Sequence, residues 1–205
     1  MLQVGVIEES NSPWPSPIVV VPKPDGSIRL CNDFRRLNQV SDFDSYPLPR
    51  VDDLVVCLGR ARLISTLDLT KGYWQVALAA DARPKTAFST SMGHWQYRVL
   101  PFGLHGAPAT LQRLMDIVLR PHRSFAAAYL DDVVIHSSTW SDHLFHLGEV
   151  LKGLWEASLT ANPKKCHLGL TEAQYLGYHI GHGMLKPQAE KVEAVKGYPR
   201  HTSKK

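Results

Sequence analysis

The sequence of 205 residues contains little cysteine, no long apolar run and no internal repeat. Its three cysteines, Cys31, Cys57 and Cys166, form neither a disulfide framework nor a CxxC metal motif, which favours a reducing intracellular setting. No apolar run approaches the roughly 18 residues that a membrane-spanning helix requires, and no signal peptide or low-complexity segment is visible. We therefore expect a protein that is intracellular, is not secreted and has no membrane partner.

The histidines lack the spacing of a zinc site. His143 and His146 are three residues apart on a predicted helix, and Cys166-His167 precedes His179 and His182. A zinc site needs four convergent ligands, usually supplied by CxxC or HxxxH pairs. Because neither group has that pattern, we expect no structural zinc and place His146 on the solvent side of its helix.

The composition is that of a folded protein with a mild excess of positive charge. The apolar fraction of 44% is enough for a core, and the net charge is +4. Towards the C-terminal end the basic residues outnumber Glu190 and Glu193; they are Lys186, Lys191, Lys196, Arg200, Lys204 and Lys205. This excess fits a polyanionic partner but does not identify one, because many soluble proteins are mildly basic.

Strand-like and helix-like segments alternate with short connections, which predicts an α+β fold of helices packed on an antiparallel sheet. Helices are predicted at 51–58, 108–119 and 141–159. Strands are predicted at 18–21, 28–34, 61–69, 85–90, 95–99, 166–170 and 175–180, with a hairpin at 126–135. The predicted buried face of the last helix comprises Leu144, Leu147, Leu151, Leu154 and Ser158.

Adjacent carboxylates, Asp131 and Asp132, occupy the tip of the predicted hairpin. They repel each other, and a tight turn between buried strands usually contains Asn-Gly or Asp-Gly instead. Asp68 ends another apolar strand upstream. One carboxylate at a strand end and a pair on a neighbouring hairpin is the arrangement that a two-metal phosphoryl-transfer site needs. Asp52 and Asp53, by contrast, lie in the first turn of a helix, where acids interact favourably with the dipole.

Several motifs occur in the order that reverse transcriptases have. Leu67-Asp68-Leu69, Leu100-Pro101-Phe102-Gly103-Leu104 with Ala107-Pro108-Ala109-Thr110, and Tyr129-Leu130-Asp131-Asp132 resemble the successive palm motifs of that family. Further strings are most similar to gypsy-type LTR retrotransposons: Ser12-Pro13-Trp14, Pro24-Asp25-Gly26, Asp33-Phe34-Arg35 with Leu37-Asn38, Tyr46-Pro47-Leu48-Pro49, and Tyr175-Leu176-Gly177. The resemblance runs from about residue 4 to about residue 200.

The resemblance implies the fingers and palm of a right-hand polymerase, with an antiparallel palm sheet backed by helices. Residues 1–60 correspond to a fingers-like segment and the approach to the palm. Residues 61–182 correspond to the palm, with an inserted fingers segment at about 80–100. Residues 183–205 form a basic tail where a thumb begins in the family. The implied activity is RNA-directed DNA polymerisation, with partners that are an RNA or DNA template, its primer and deoxynucleoside triphosphates.

The same resemblance implies roles for individual residues. Asp68, Asp131 and Asp132 are the expected catalytic and metal-binding residues, with the backbone of Leu69 as a further ligand. The expected cofactor is a pair of Mg²⁺ ions, Mn²⁺ being the alternative. Tyr73 is expected to exclude a ribose 2′-hydroxyl, the alternative being a core aromatic.

Further residues are expected to contact the substrates. Lys23 and Arg29 are expected to contact the triphosphate, the alternative for Lys23 being an ordinary solvated lysine. Gln112 is expected to contact the nucleotide or template, the alternative being an ordinary exposed position. Lys164 or Lys165 is the expected general acid, the alternative being a solvated pair. Leu176, Gly177 and Tyr178 are the expected primer grip.

A different function remains open from the sequence alone. The family continues with a thumb, a connection and a ribonuclease H domain, and none of their motifs is present. The chain could therefore be a truncated or co-opted fragment that binds nucleic acid without catalysis, with ribonuclease H activity residing only in a downstream domain. The three aspartates favour polymerase chemistry.

Overall fold

The computed structural model describes residues 1–22, 26, 28–58, 61–181, 184–187 and 193. Within this part of the chain the strands are β1 (Ile7–Glu9), β2 (Ile18–Pro22), β3 (Ile28–Asn32), β4 (Leu63–Asp68), β5 (Phe88–Thr90), β6 (Gly93–Tyr97), β7 (Ala126–Tyr129), β8 (Asp132–Ser137), β9 (His167–Leu170), β10 (Glu172–Tyr175), β11 (Tyr178–Gly181) and β12 (Met184–Pro187). Its helices are α1 (Arg35–Val40), α2 (Val51–Leu58), α3 (Ala107–Val118) and α4 (Trp140–Glu156). Among the described residues, no helix is long and apolar enough to cross a bilayer.

A four-stranded antiparallel sheet in the order β7-β8-β4-β9 organises the palm. Side chains alternate between the two faces of a strand, so residues two apart share a face. On one face Leu67, Val133 and Ile135 pack against α3 and α4. On the other face Ile64 and Val134 pack against residues of α2, β10 and β11. Asp68 and Asp132 are an even number of residues away from Ile64 and Val134 along their strands, so they lie on this second face as well.

A smaller set of elements forms the fingers. The hairpin β2-β3 and the three-stranded sheet β1-β6-β5 are both antiparallel. A separate cluster joins them, with Val6, Phe34, Leu37, Phe88 and Tyr97 buried together. Leu37 belongs to α1, which the sequence did not predict because a helix of six residues is too short to show a periodic pattern.

Two strand predictions in this region were wrong in their bounds. Arg83–Thr86 forms a 3₁₀ turn, in which the Thr86 hydroxyl donates to the Arg83 carbonyl, so β5 starts only at Phe88. Strand β6 covers Gly93–Tyr97 rather than 95–99, because its pairing with β1 ends at Ile7 and Tyr97.

The predicted buried face of α4 is correct at Leu147 and Leu154 and wrong at its other positions. Leu144 and Leu151 are 53% and 43% exposed, whereas His143, Val150 and Leu154 are buried. His143 is accommodated because it lies between two serine hydroxyls, with Nε2 2.7 Å from Ser65 Oγ and Nδ1 3.0 Å from Ser137 Oγ. A polar residue thus takes an interior position, which shifts the buried stripe of the helix by one residue.

His146 does not face solvent, as the sequence predicted. Its ring stacks on Phe125 with centroids 3.8 Å apart and planes at 3°. Its Nδ1 lies 2.7 Å from Ser137 Oγ, so Ser137 joins both histidines of the helix to β8. Both histidines therefore fasten α4 to the palm sheet.

The segment 175–180 is a hairpin rather than the single predicted strand. Strand β10 ends at Tyr175 and β11 begins at Tyr178, with Leu176 and Gly177 as the two turn residues. Both have positive φ, 49° and 86°, which is the backbone of a type I′ turn. The sequence did not predict this turn, because leucine is unusual at a position with left-handed backbone.

Candidate active site

The palm sheet brings the three predicted aspartates to one end. Asp68 is the last residue of β4 and pairs across the strands with Asp132, the first residue of β8. Asp131 lies in the turn before β8, and its carbonyl accepts a hydrogen bond of 2.9 Å from the Leu69 N–H. The Asp68 carbonyl accepts one of 2.7 Å from the Asn162 N–H. Backbone bonds thus fix all three aspartates in mutual register.

Gln112 supports the aspartate turn from below. Its side chain is fully buried, with Oε1 accepting from the Leu130 N–H at 2.8 Å and Nε2 donating to the Ala128 carbonyl at 3.1 Å and to Asp116 Oδ1. Leu130 has a φ of 55°, a strained value for leucine. The expected nucleotide contact and the alternative of an exposed position are both wrong for Gln112, because its amide is enclosed beneath the turn.

Gly72 packs tightly against the aspartate turn. A Cβ atom at this position would lie 2.7 Å from Asp131 Cβ, a distance that real side chains do not adopt. Only glycine therefore allows the 3₁₀ turn Gly72–Gln75 to pack against Asp131. Gly72 was not predicted as a site residue, although its position four residues after Asp68 in a buried motif could have indicated a close contact.

The electrostatics of the site are those of crowded carboxylates beside one lysine. Burial, then Asp131 and Asp68, raise the pKa of Asp132, and Lys165 lowers it. Lys165 Nζ lies 2.9 Å from Asp68 Oδ2, and this hydrogen bond raises the lysine pKa. Lys164 is exposed, and its backbone N–H donates to Asn162 Oδ1. The structure thus brings Lys165, and not the side chain of Lys164, to the aspartates.

The donor chemistry of the site fits Mg²⁺. Carboxylate oxygens are its preferred protein ligands, and a cation offsets the burial and the charges of Asp131 and Asp68, which together raise the pKa of Asp132. Within the described part of the chain, no three acidic, histidine or cysteine side chains converge on a single metal position. This is compatible with Mg²⁺, which is usually held by one or two carboxylates together with water and substrate phosphates.

Tyr73 lies beside the aspartates and also packs against the core. Its ring meets Phe102 edge-to-face with centroids 5.0 Å apart, and it packs against the core between the four-stranded sheet, α3 and α4. Burial is the main cause that raises the pKa of Tyr73, and the negative charge of Asp131 raises it further. The phenol therefore lies near that carboxylate. Tyr73 is therefore half-buried: its ring packs against the core and also lies beside the aspartates.

The predicted triphosphate contacts of the fingers fall largely outside the described structure. Lys23 is not among the described residues. The backbone of Arg29 pairs with Val21 in the β2-β3 hairpin, while its side chain lies outside the described part. Their roles stay predictions.

The hairpin with Leu176, Gly177 and Tyr178 borders the aspartates on the other side. The Tyr175 hydroxyl donates to the Asp132 carbonyl at 3.1 Å, which ties β10 to the start of β8. A cleft of about 480 Å³ lies between this hairpin and the ends of β4 and β8, with Asp68, Asp132, Lys165 and Leu176 in its lining. The hairpin predicted to hold the primer therefore faces the same cleft as two of the aspartates.

Comparison with known proteins agrees with this geometry. The sequence profile of the family described as reverse transcriptase (RNA-dependent DNA polymerase) matches residues 21–180. The chain belongs to the reverse transcriptase family. Its fold also matches solved reverse transcriptases: foamy viral protease-reverse transcriptase in complex with double-stranded DNA superposes with a TM-score of 0.90 at 28% identity, covering 98% of this chain and 35% of that one. The same viral protein with an RNA/DNA hybrid gives a TM-score of 0.87 at 27% identity, covering 98% and 27%.

Sequence relatives place the chain among LTR retrotransposon reverse transcriptase domains. The retrovirus-related Pol polyprotein from transposon 297 of Drosophila melanogaster is 41% identical, covering 100% of this chain and 20% of the relative. The corresponding polyprotein of transposon gypsy from the same organism is 38% identical, covering 97% and 20%. The enzymatic polyprotein of Cauliflower mosaic virus (strain Strasbourg) is 33% identical, covering 97% and 30%. The chain thus spans about a fifth to a third of the length of these relatives.

Proposed function

We propose that this chain forms the fingers and palm of an RNA-directed DNA polymerase, which adds deoxynucleotides to a primer 3′ end. The observation that carries the proposal is the register of the aspartates, with Asp68 opposite Asp132 and Asp131 bonded to Leu69. A right-hand polymerase needs this juxtaposition, since its chemistry takes place between carboxylates on two neighbouring strands. The proposed division is residues 1–60 for the fingers and the approach to the palm, 61–182 for the palm, and 183–205 for the basic tail.

The chemistry requires an activated hydroxyl and a stabilised leaving group. Two Mg²⁺ ions, when bound, would lower the pKa of the primer 3′-hydroxyl and neutralise charge on the departing pyrophosphate. Asp68, Asp131, Asp132 and the backbone of Leu69 are the proposed groups that would hold these ions.

Lys165 is the proposed proton donor to the pyrophosphate. Its contact with Asp68 keeps the ammonium protonated and directs it into the cleft of the aspartates. A general acid must lie within hydrogen-bond reach of the group that it protonates. The side chain of Lys165 has that access, and transfer of its proton would leave neutral lysine and a protonated pyrophosphate oxygen.

Tyr73 is the proposed selector of deoxynucleotides, and Leu176, Gly177 and Tyr178 are the proposed primer grip. Phe102 holds the Tyr73 ring in place beside Asp131, so a sugar above the ring would have little room for a 2′-hydroxyl. The foamy viral relatives were solved with double-stranded DNA and an RNA/DNA hybrid, which supports a primer–template duplex as the partner. The intracellular location stays a prediction.

Primer extension by the purified chain tests the proposal. Wild type should extend a DNA primer on an RNA template in Mg²⁺, and Asp131→Asn should remove the activity. Asp52→Asn is the matched control, because Asp52 is an exposed carboxylate in the first turn of α2. A wild-type chain that binds primer–template but never extends it would favour the non-catalytic nucleic-acid-binding alternative.

A further inference from the structure

The motif Tyr46-Pro47-Leu48-Pro49 has no role in the chemistry proposed above, but its tyrosine reaches the helix beneath the aspartate turn. The Tyr46 hydroxyl donates a hydrogen bond of 2.6 Å to Asp116 Oδ2 on α3. Proline has a fixed φ, and a residue that precedes proline is confined largely to extended backbone, so the segment is stiff. The motif therefore presents its tyrosine to α3 on a backbone with little freedom.

Two charged neighbours hold Tyr46 in this position. The Arg113 guanidinium lies over the tyrosine ring, 4.7 Å from its centroid, and Arg113 Nη2 donates to both carboxylate oxygens of Asp44 at 2.8 and 2.9 Å. Asp44 Oδ1 also accepts a hydrogen bond of 3.0 Å from the Tyr46 N–H. The hydrogen bond from Arg113 lowers the pKa of Asp44, so this carboxylate is charged at neutral pH. Both the ring and the backbone of Tyr46 are thus fixed against α3.

Asp116 connects Tyr46 to Gln112, one turn earlier in the same helix. Asp116 Oδ1 accepts a hydrogen bond of 2.9 Å from Gln112 Nε2, which also donates to the Ala128 carbonyl at 3.1 Å. Both acceptors lie on the nitrogen side of the amide, so its oxygen faces the Leu130 N–H, which donates to it at 2.8 Å. The Asp116 carboxylate therefore helps to set the direction in which the Gln112 amide points.

We propose that Tyr46 is a positioning residue for Asp131, which acts through Asp116 and Gln112 on the aspartate turn. The inference rests on the proposed polymerase function and gives the Tyr46 motif a part in it. Without the tyrosine hydroxyl, Asp116 Oδ2 loses its donor, and the half-buried carboxylate can turn towards water and away from Gln112. The turn would then be held less firmly at Leu130, whose φ of 55° is strained.

The proposal predicts a slower reaction without the tyrosine hydroxyl. Tyr46→Phe removes the hydroxyl and keeps the ring under Arg113. We expect kcat for primer extension with dTTP to fall about tenfold in this variant, since a small misplacement of a reacting group lowers the rate. The KM for dTTP and the dissociation constant for primer–template should stay at the wild-type values.

Tyr97→Phe is the matched control. It also removes a tyrosine hydroxyl that donates to a side chain, in this case to Asn32 Oδ1 at 2.8 Å, but Tyr97 belongs to the buried cluster of the fingers. Tyr97→Phe should lower the free energy of unfolding and keep the wild-type kcat. If Tyr46→Phe also loses stability but keeps the wild-type kcat, its role is structural only and the inference is wrong.

A double-mutant cycle tests whether Tyr46 acts through Gln112. Gln112→Leu already removes the acceptor of the Leu130 N–H. Addition of Tyr46→Phe to Gln112→Leu should therefore lower kcat no further, because only independent effects are additive in free energy. A double variant whose loss in kcat equals the product of the two single losses would overturn the inference.

Hydrogen exchange of the Leu130 amide gives a readout that does not depend on activity. In Tyr46→Phe this amide should exchange about tenfold faster than in wild type, relative to the amides of β4, because local opening becomes easier. An unchanged relative rate of exchange at Leu130 would overturn the inference. The proposed function fails separately: a wild-type chain that does not extend a primer would refute polymerisation, while faster exchange at Leu130 in Tyr46→Phe would leave the link from Tyr46 to the turn standing.

Discussion

Gln112 links the aspartate turn to the helix beneath it. The amide also donates to Asp116 Oδ1 at 2.9 Å, while Asp116 Oδ2 accepts from the Tyr46 hydroxyl at 2.6 Å. The polar chain thus runs from the segment before α2, through α3, to Leu130. At the scale of single residues, the position of Asp131 depends on a side chain that no substrate can reach.

Gln112→Leu should reduce both stability and activity. Leucine fills a similar volume but leaves the Leu130 N–H without its acceptor, which costs about 1–3 kcal/mol when the group is buried. Released from this bond, the strained turn should misplace Asp131 and lower kcat more than KM. Denaturant unfolding and primer extension measure the two effects, with Gln39→Leu on exposed α1 as the control. Unchanged kcat in a destabilised variant would contradict the positioning role.

Tyr73→Ala should admit ribonucleotides. The ring is held by Phe102 near Asp131, so truncation opens space for a 2′-hydroxyl without removing a carboxylate. The ratio of incorporation efficiencies for ribo- and deoxynucleotides should rise, while Tyr73→Phe should keep the wild-type ratio because the ring remains. If Tyr73→Ala leaves the ratio unchanged, sugar selection lies elsewhere and the side chain serves only the core.

At the scale of elements, hydrophobic patterning predicted those parts whose burial follows from sequence alone. Strand β4, the hairpin β7-β8 and helix α3 have continuous or periodic apolar positions, and the structure contains all of them. The buried face of α4 could not be predicted, because His143 is interior only when Ser65 and Ser137 supply partners from distant strands. The buried position of Gln112 could not be predicted for the same reason, since its hydrogen-bond partners lie on β7 and in the turn that follows β7.

The packing of α4 should weaken at mildly acidic pH. Burial, then His146, lower the pKa of His143 from 6.5, so the folded state holds this ring neutral. Burial and both neighbouring histidines also lower the pKa of His136. As pH falls below about 6.5, the unfolded chain binds protons that the folded chain does not, so the free energy of unfolding decreases.

Denaturant unfolding between pH 8 and about pH 5 measures this loss. His143→Gln should reduce the slope of the free energy of unfolding against pH only in part, because His136 continues to titrate. His167→Gln, at an exposed position on β9, should keep the wild-type slope. A slope that is identical in wild type and His143→Gln would show that the buried histidine does not govern the pH dependence.

At the scale of the whole molecule, fingers and palm meet around the aspartates. The fingers strand β3 and the palm residues Lys71 and Trp74 line one pocket, and the β10-β11 hairpin closes the cleft on the opposite side. The sequence motifs predicted that these segments belong to one site. Their distances could not be predicted, since they depend on contacts such as Gly72 against Asp131 that join residues far apart in the chain.

Mg²⁺ should stabilise the whole fold by mass action. The carboxylates of Asp68, Asp131 and Asp132 repel one another, and an ion that binds only the folded arrangement adds about 2.7 kcal/mol at a hundredfold excess over its dissociation constant. Differential scanning calorimetry should therefore show a Tm that rises with Mg²⁺ in wild type. The rise should be smaller in Asp68→Asn and normal in Asp81→Asn, which changes an exposed acid. A wild-type Tm that ignores millimolar Mg²⁺ would mean that these carboxylates hold the ion only together with a nucleotide.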